Sequence, residues 1–297
     1  MTTGFTTVAE ALAWATACLA AEGIPAARLD AEVLLSHVLT TDRSRFYIYP
    51  DAAVPPAAAR RYREIVAARA ARRPLQYLTD RQEFMGIDFA VNEHVLIPRP
   101  ETEILVEAVC AEIGMRQAPL LADVGTGSGA IAVSLAKFLP DATIYALDIS
   151  AAALALAGRN AAAAGVGARV FCLAGDLLDP LQDRGLAGAL AGIVANPPYI
   201  PTGDIADLAP EVRDWEPRLA LDGGKDGMEY YRRLVAAAPP YLTADGFLAV
   251  EIGAGQADAV AELFAASGVF TVIRRRRDYA GWERVIIGRK QPGNPAC

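Results

Sequence analysis

The tetrapeptide Asn196-Pro197-Pro198-Tyr199 is the stretch whose residue types speak most directly of chemistry. Asn196 and Pro197 each precede a proline, which pushes both toward extended backbone, and neither proline has an N–H to donate. The segment is therefore stiff, and its carbonyls cannot close into a helix. The Asn196 side-chain oxygen and the Pro197 carbonyl form two fixed acceptors, with the Tyr199 ring close by. Two acceptors and an aromatic face suit a planar –NH2 group, on an amide or on the exocyclic amine of a base. The plain alternative is a strand exit made of turn-forming residues, and the tetrapeptide alone does not separate the two. The apolar run 190–195 before it reads as a short buried strand.

Seventy residues earlier, a second apolar run over 120–124 leads straight into Gly125-Thr126-Gly127-Ser128-Gly129, and residues 130–136 carry apolar side chains at helical spacing. Glycines there permit positive φ and close approach of a ligand to bare backbone, and the helix start offers free N–H groups. A strand over 143–147 ends at Asp148, whose carboxylate suits two vicinal ribose hydroxyls. The turn also nearly satisfies GxGxxG with Ala130 in the last position, so by itself it leaves a nicotinamide-binding domain open. Strand, glycine turn, helix, strand and acid together point to a nucleoside cofactor.

The glycine turn, Asp148 and Asn196-Pro197-Pro198-Tyr199 resemble the Rossmann-type S-adenosylmethionine (SAM) methyltransferases that modify amide or amino nitrogens. The chain is most similar to the release-factor glutamine methyltransferases, the HemK/PrmC family. Ile97-Pro98-Arg99-Pro100-Glu101-Thr102-Glu103 is similar to the segment before that family's catalytic domain. Glu211-Val212-Arg213 and the stretch 216–224 (EPRLALDGG) are similar to its segment after NPPY. The likeness runs from about residue 5 to residue 289. NPPY is shared with DNA adenine and ribosomal methyltransferases; its combination with the two flanking stretches is far more specific.

The resemblance implies an α/β fold: a Rossmann-like SAM methyltransferase sheet with an antiparallel last strand, preceded by a small helical-bundle domain. It implies SAM as cofactor and S-adenosylhomocysteine as product. Cofactor contacts fall on Gly125, Thr126, Gly127, Ser128, Gly129, Asp148, Asp176, Leu177 and Asn196. Some family members carry an aromatic where Leu177 stands, so adenine stacking becomes an apolar contact here. Asn196, Pro197 and Tyr199 are the implied catalytic residues, and Pro198 joins them in the substrate site. The implied substrate is the glutamine of the Gly-Gly-Gln loop of class I peptide chain release factors. Two other readings stay open: methylation of an exocyclic amine in rRNA or DNA or of a ribosomal-protein glutamine, and a non-catalytic nucleotide-binding module.

Composition fits a cytoplasmic enzyme. A length of 297 residues suggests about two domains, and 53% hydrophobic content suffices for two cores. Cys18, Cys110, Cys172 and Cys297 are scattered without a CxxC pair, which argues against zinc or a disulfide framework. His37 and His94 read as structural, and no metal site is expected. The apolar stretch 11–21 lacks a basic lead and reads as an amphipathic helix rather than a signal peptide. No run is long enough to cross a bilayer.

The net charge of −7 divides unevenly, with 10 Lys and Arg against 9 Asp and Glu up to Phe84, and 18 against 26 beyond it. An acidic catalytic half counts against stable nucleic-acid binding, which favours a basic face. Arg60, Arg61, Arg63, Arg69, Arg72 and Arg73 crowd one helix, and Arg274 to Arg277 one late strand. Each cluster reads as a solvated face, with docking of an acidic protein surface open for the first.

Three stretches follow. Residues 1–80 have helical apolar spacing and read as a small helical bundle, expected from the resemblance to be the substrate-docking domain. Residues 81–99 alternate as a strand-like connector, and 100–297 form the catalytic domain. There Pro100 opens a helix whose Glu101 and Glu103 suit the positive end of its dipole. Strands are expected near 120–124, 143–147, 169–173, 190–195 and 246–252, with a terminal pair near 270–276 and 283–288. The stretch 200–227 lacks periodicity and reads as a functional loop bordering the substrate groove.

Overall fold

The computed structural model describes residues 5–291, so Cys297 lies outside the described residues. Among them, no helix is long and apolar enough to cross a membrane. The chain divides into two compact units. One runs to Arg81 and includes Ala209–Trp215; the other runs from Gln82 to Leu208 and resumes at Glu216.

The first unit packs α1 (Val8–Ala21), α2 (Ala27–Leu39), α3 (Ser44–Ile48), α4 (Pro56–Ala70) and α5 (Leu75–Thr79). A capping box starts α1: Thr7 Oγ1 accepts from the Glu10 amide, and Glu10 Oε2 accepts from the Thr7 amide at 3.2 Å. Pro56 occupies the first turn of α4, where its missing N–H costs nothing. The apolar stripe Val8, Leu12, Ala15 and Leu19 is buried with Leu34, Leu35, Tyr62 and Ile65. Tyr62 donates its hydroxyl to the Ala31 carbonyl at 2.8 Å, so its burial leaves no polar group unpaired.

The arginine cluster does not behave as one face. Arg60 and Arg61 are exposed, and Arg63 lies over the Phe5 ring at 4.5 Å. Arg69 is buried, donating to Asp30 at 2.7 Å and to Glu211 at 3.0 Å, and Arg72 reaches Glu211 at 3.1 Å. Arg73 stacks over Trp215 at 5.5 Å. Half of the cluster thus holds the segment 209–215 to the helices instead of facing solvent, because Glu211 and Trp215 return to this unit from far along the chain.

In the second unit, β1 (Arg81–Phe84) and β2 (Ile87–Ala90) pair as a small hairpin, and α6 (Pro100–Ile113) follows. Then come β3 (Leu120–Val124), α7 (Ala130–Phe138), β4 (Thr143–Asp148), α8 (Ala151–Ala163), β5 (Val170–Ala174) and β6 (Leu190–Ala195). Beyond α9 (Pro210–Arg213), which lies in the first unit's added segment, are α10 (Glu229–Ala237), β7 (Leu242–Glu251), α11 (Ala257–Ala266), β8 (Phe270–Arg277) and β9 (Glu283–Lys290).

The seven-stranded sheet has the order β5-β4-β3-β6-β7-β9-β8. Its first five strands are parallel, and β9 runs antiparallel to both β7 and β8. The terminal hairpin is therefore present, with its antiparallel strand inserted beside β7. Every residue of β6 is buried, as a strand covered on both faces requires. Strand β7 begins at Leu242, earlier than its apolar run suggests, because Leu242 pairs with Leu190 across a register shift. The stripe on β8 is largely neutralised: Arg274 meets buried Glu112 at 2.5 Å, Arg275 meets Asp258 at 2.7 Å, and Arg277 faces Glu283.

Candidate active site

In this strand order the chain leaves β3 for β4 on one side and enters β6 on the other. The crevice at the carboxyl ends of β3 and β6 is thus the switch point where open α/β sheets bind ligands. Val124 is in register with Ala195, so Gly125 and Asn196 emerge from adjacent strand ends. Seventy residues of sequence separate the two motifs, and one strand spacing separates them in the fold.

The glycine turn is tied down from several sides. Gly125 and Thr126 donate their amides to the Leu147 carbonyl at 2.8 and 2.9 Å. Asp123 is wholly buried, and its Oδ2 accepts from Thr126 Oγ1 at 2.6 Å and from the Ala132 amide at 3.1 Å. Burial pushes its carboxyl up to about 7. Gly129 lies at φ +81° as the N-cap of α7, and an added Cβ would meet Ala157 Cβ at 3.0 Å. It serves helix packing and does not line the cleft, whereas Gly125, Thr126, Gly127 and Ser128 do.

Asp148 lies at the end of β4. Its Oδ2 accepts from the Gly127 amide and its Oδ1 from the Ser150 amide, both at 2.8 Å. Each oxygen keeps a further lone pair, so the carboxylate orders the turn and still has capacity for hydroxyl donors. Asp176 and Leu177 also line the cleft. Leu177 sits at φ +47°, a left-handed conformation uncommon for a branched apolar residue. Asp176 is paired with Arg233 of α10 at 2.5 Å.

Asn196, Pro197 and Pro198 line the same cleft. Asn196 Nδ2 donates to Thr102 Oγ1 at 3.1 Å, which leaves Oδ1 as the end of the amide free to accept. Tyr199 is placed differently: it is absent from the cleft lining, and its ring lies beside Gly253. Burial raises its hydroxyl, with Glu251 acting in the same direction and Arg284 opposing. The backbone of Tyr199 is held by Gln256, whose Nε2 donates to the Tyr199 carbonyl at 3.0 Å. Gln256 Oε1 in turn accepts from the Gly253 amide at 2.9 Å and the Tyr231 hydroxyl at 3.2 Å.

The flanking stretches meet at the cleft wall. Buried Glu216 accepts from the Arg99 guanidinium and, at 3.3 Å, from the Ile97 amide. Pro98, Arg99, Pro217, Leu219 and Ala220 line the cleft together. Only the later part of 200–227 therefore borders it. That stretch is short helical turns, with Ile200 bridged to Asp222, rather than open loop.

Several residues here escape a sequence reading. His94, read as structural, lines the cleft, as do Ile149, Tyr230 and Leu234. Thr102 and Glu251 are buried beside Asn196. The available signal was an acid closing an apolar strand, since Glu251 ends β7 just as Asp148 ends β4.

The cleft fits a nucleoside cofactor on its own chemistry. It offers bare glycine backbone on one wall, a carboxylate with spare acceptor capacity on the next, and apolar Leu177 and Ile149 beyond. Residues 10–79 match the PrmC N-terminal domain, and residues 100–209 match the methyltransferase small domain. A release factor glutamine methyltransferase of Moorella thermoacetica is 48% identical, covering 95% of this chain and 98% of its own. That of Geobacter sulfurreducens is 46% identical, covering 95% and 96%. In fold, a methyltransferase of Pyrococcus furiosus matches with a TM-score of 0.50 at 17% identity, covering 70% of this chain and 90% of its own. With its two motifs brought to one switch point and relatives matched from end to end, the chain belongs to the release factor glutamine methyltransferase family.

Proposed function

We propose that this protein transfers a methyl group from SAM to the side-chain amide nitrogen, N5, of the glutamine in the Gly-Gly-Gln loop of class I peptide chain release factors, in translation termination. The observation that carries the reading is the adjacency of the glycine turn and Asn196-Pro197 at the ends of β3 and β6. A nucleoside site and an amide-binding site there share one cleft.

Gly125, Thr126, Gly127 and Ser128 would face the cofactor with backbone, Asp148 with its carboxylate, and Leu177 with an apolar surface. When bound, SAM supplies an electrophilic methyl on its sulfonium. The difficulty lies in the acceptor, because the glutamine nitrogen's lone pair is delocalised into its carbonyl. Asn196 Oδ1 and the Pro197 carbonyl oxygen accept from the two N–H bonds and hold the nitrogen in one orientation. Both carry partial negative charge where positive charge develops on nitrogen, and both are fixed before the reaction, which lowers the reorganisation required. Tyr199, off the cleft lining, supports the far wall of the acceptor side through its packing. The methylated nitrogen loses its extra proton to water, so no strong base is needed. The helical unit is the proposed docking domain for the protein substrate.

Asn196→Ala tests the reading. Loss of one preorganised contact typically costs about 10²–10³ in rate, so kcat falls by that order while SAM affinity, measured by calorimetry, drops modestly. Near-normal turnover in this variant, with the methyl still on the glutamine amide, would remove NPPY as the amide cradle.

A further inference from the structure

The cleft does not account for one buried acid. Glu251 closes β7 with 2% exposure, and its Oε2 is buried without a hydrogen-bond partner among the described residues. The strand end is fixed, since the Tyr231 hydroxyl shares its one proton between Gln256 Oε1 and the Glu251 carbonyl, 3.1 Å away, and Glu251 is in register with Val285 of β9. A buried acid with spare acceptor capacity is costly, so a compensating arrangement is expected around it.

That arrangement leads to the acceptor site. Thr102 Oγ1 receives a hydrogen bond from Asn196 Nδ2 and therefore keeps its own proton to donate. Ala195 is in register with Val250, so Asn196 and Glu251 follow at adjacent strand ends, and Thr102 and Asn196 both favour the charged form of the Glu251 carboxyl. An amide whose N–H end is claimed in this way cannot turn over. We propose that Glu251 is a positioning residue which, through the Thr102 hydroxyl, fixes the Asn196 amide with Nδ2 inward and Oδ1 toward the substrate nitrogen. This rests on the reading of Asn196 as an acceptor of the glutamine amide.

The charge state of Glu251 matters to the direction of the chain. As an anion it only accepts, so Thr102 must donate to it. Once protonated it donates, competes for the Thr102 lone pairs and releases the Asn196 amide to rotate. Burial raises its carboxyl to about 7, with Thr102, Arg284 and Asn196 opposing and Glu101 adding to the rise. The groups facing it are thus Glu101 and Thr102 on α6, Asn196 and Tyr199 after β6, Tyr231 on α10 and Arg284 on β9.

The test uses the full chain with SAM and a purified class I release factor. Thr102→Val keeps shape and removes the hydroxyl, and Thr102→Ser keeps the hydroxyl. For Thr102→Val, kcat falls on the order of tenfold, less than for a direct contact, while SAM affinity by calorimetry and the KM for the release factor stay within about twofold. Thr102→Ser restores most of the rate. Glu251→Gln lowers kcat and abolishes the loss of kcat as pH drops through about 7. Equal losses in Thr102→Val and Thr102→Ser, or a silent Thr102→Val, overturn the proposal, as does an unchanged acid limb in a folded Glu251→Gln. If Glu251→Gln fails to fold, the two Thr102 variants decide. Absence of glutamine methylation by the wild-type protein removes the functional reading and this proposal together; normal methylation with a silent Thr102→Val removes this proposal alone.

Discussion

Gly227→Ala separates the acceptor side of the site from the cofactor side. Gly227 sits at φ +70°, and a Cβ built there lies 2.4 Å from the Tyr199 carbonyl oxygen and 2.8 Å from Gln256 Nε2. The first neighbour is backbone, and the second makes the bond that holds that backbone at 3.0 Å. Left-handed backbone costs a residue with a Cβ about 1–2 kcal/mol, and overpacking a tight site costs about 1–3 kcal/mol. Together these make about 2–5 kcal/mol, within the roughly 5–15 kcal/mol that a domain typically has, so the variant folds with a lowered Tm. Restoring ordinary contact moves the Tyr199 carbonyl by about 1 Å, and a misplacement of that size can cost about 10² in rate. The glycine turn, on β3, is untouched. Thermal unfolding, calorimetric titration with SAM and methyl-transfer kinetics are read on the same preparation. The expected pattern is a lower Tm, SAM affinity within about threefold of wild type and kcat reduced about a hundredfold. A kcat near wild type in the folded variant would refute the argument that Gln256 and Gly227 set the NPPY backbone.

Three further outcomes follow from the geometry. Asp148→Ala removes the acceptor for the Gly127 and Ser150 amides as well as the charge facing the cleft; SAM affinity weakens by at least about tenfold, or about 1.4 kcal/mol, and unchanged calorimetry rejects the ribose assignment. Arg69→Ala leaves Asp30 buried without its partner, and breaking such a pair costs about 3–5 kcal/mol; a denaturation midpoint equal to wild type contradicts this. Asp123 holds a proton in the folded state between its ordinary value of 3.8 and about 7, where the unfolded chain has released it, so its contribution to stability falls as pH rises across that window and levels off above it. Asp123→Asn lacks this slope, and its Tm relative to wild type rises from pH 4 to pH 7; a constant difference counts against it.

What the sequence made legible follows periodicity and short motifs. The strands over 120–124 and 190–195 could be read because they are apolar runs that stop at Gly125 and at Asn196-Pro197, and the structure places them there. The glycine turn and NPPY were legible for the same reason, since their chemistry lies in local backbone constraints. What was hidden depends on contacts between distant residues. The pairing of Arg69 with Glu211 spans 142 positions, so an arginine cluster along α4 and the turn after it looked uniform when half of it holds a returning segment. Glu251 resembled any strand-ending acid, because its neighbours Thr102 and Asn196 come from separate stretches. Tyr199 sits beside the two acceptors in sequence, yet the bond from Gln256 and the approach of Gly253 turn it off the cleft lining.

The central claim is the identity of the methylated atom. Purified protein is incubated with SAM and an unmodified class I release factor, and the product is fragmented and sequenced by mass spectrometry. A single added methyl is expected on the side-chain amide of the glutamine in the Gly-Gly-Gln loop, formed at an initial rate about 10²–10³ lower when Asn196→Ala replaces the wild-type protein. A release factor left unmodified, or a methyl found on any other residue, would contradict it.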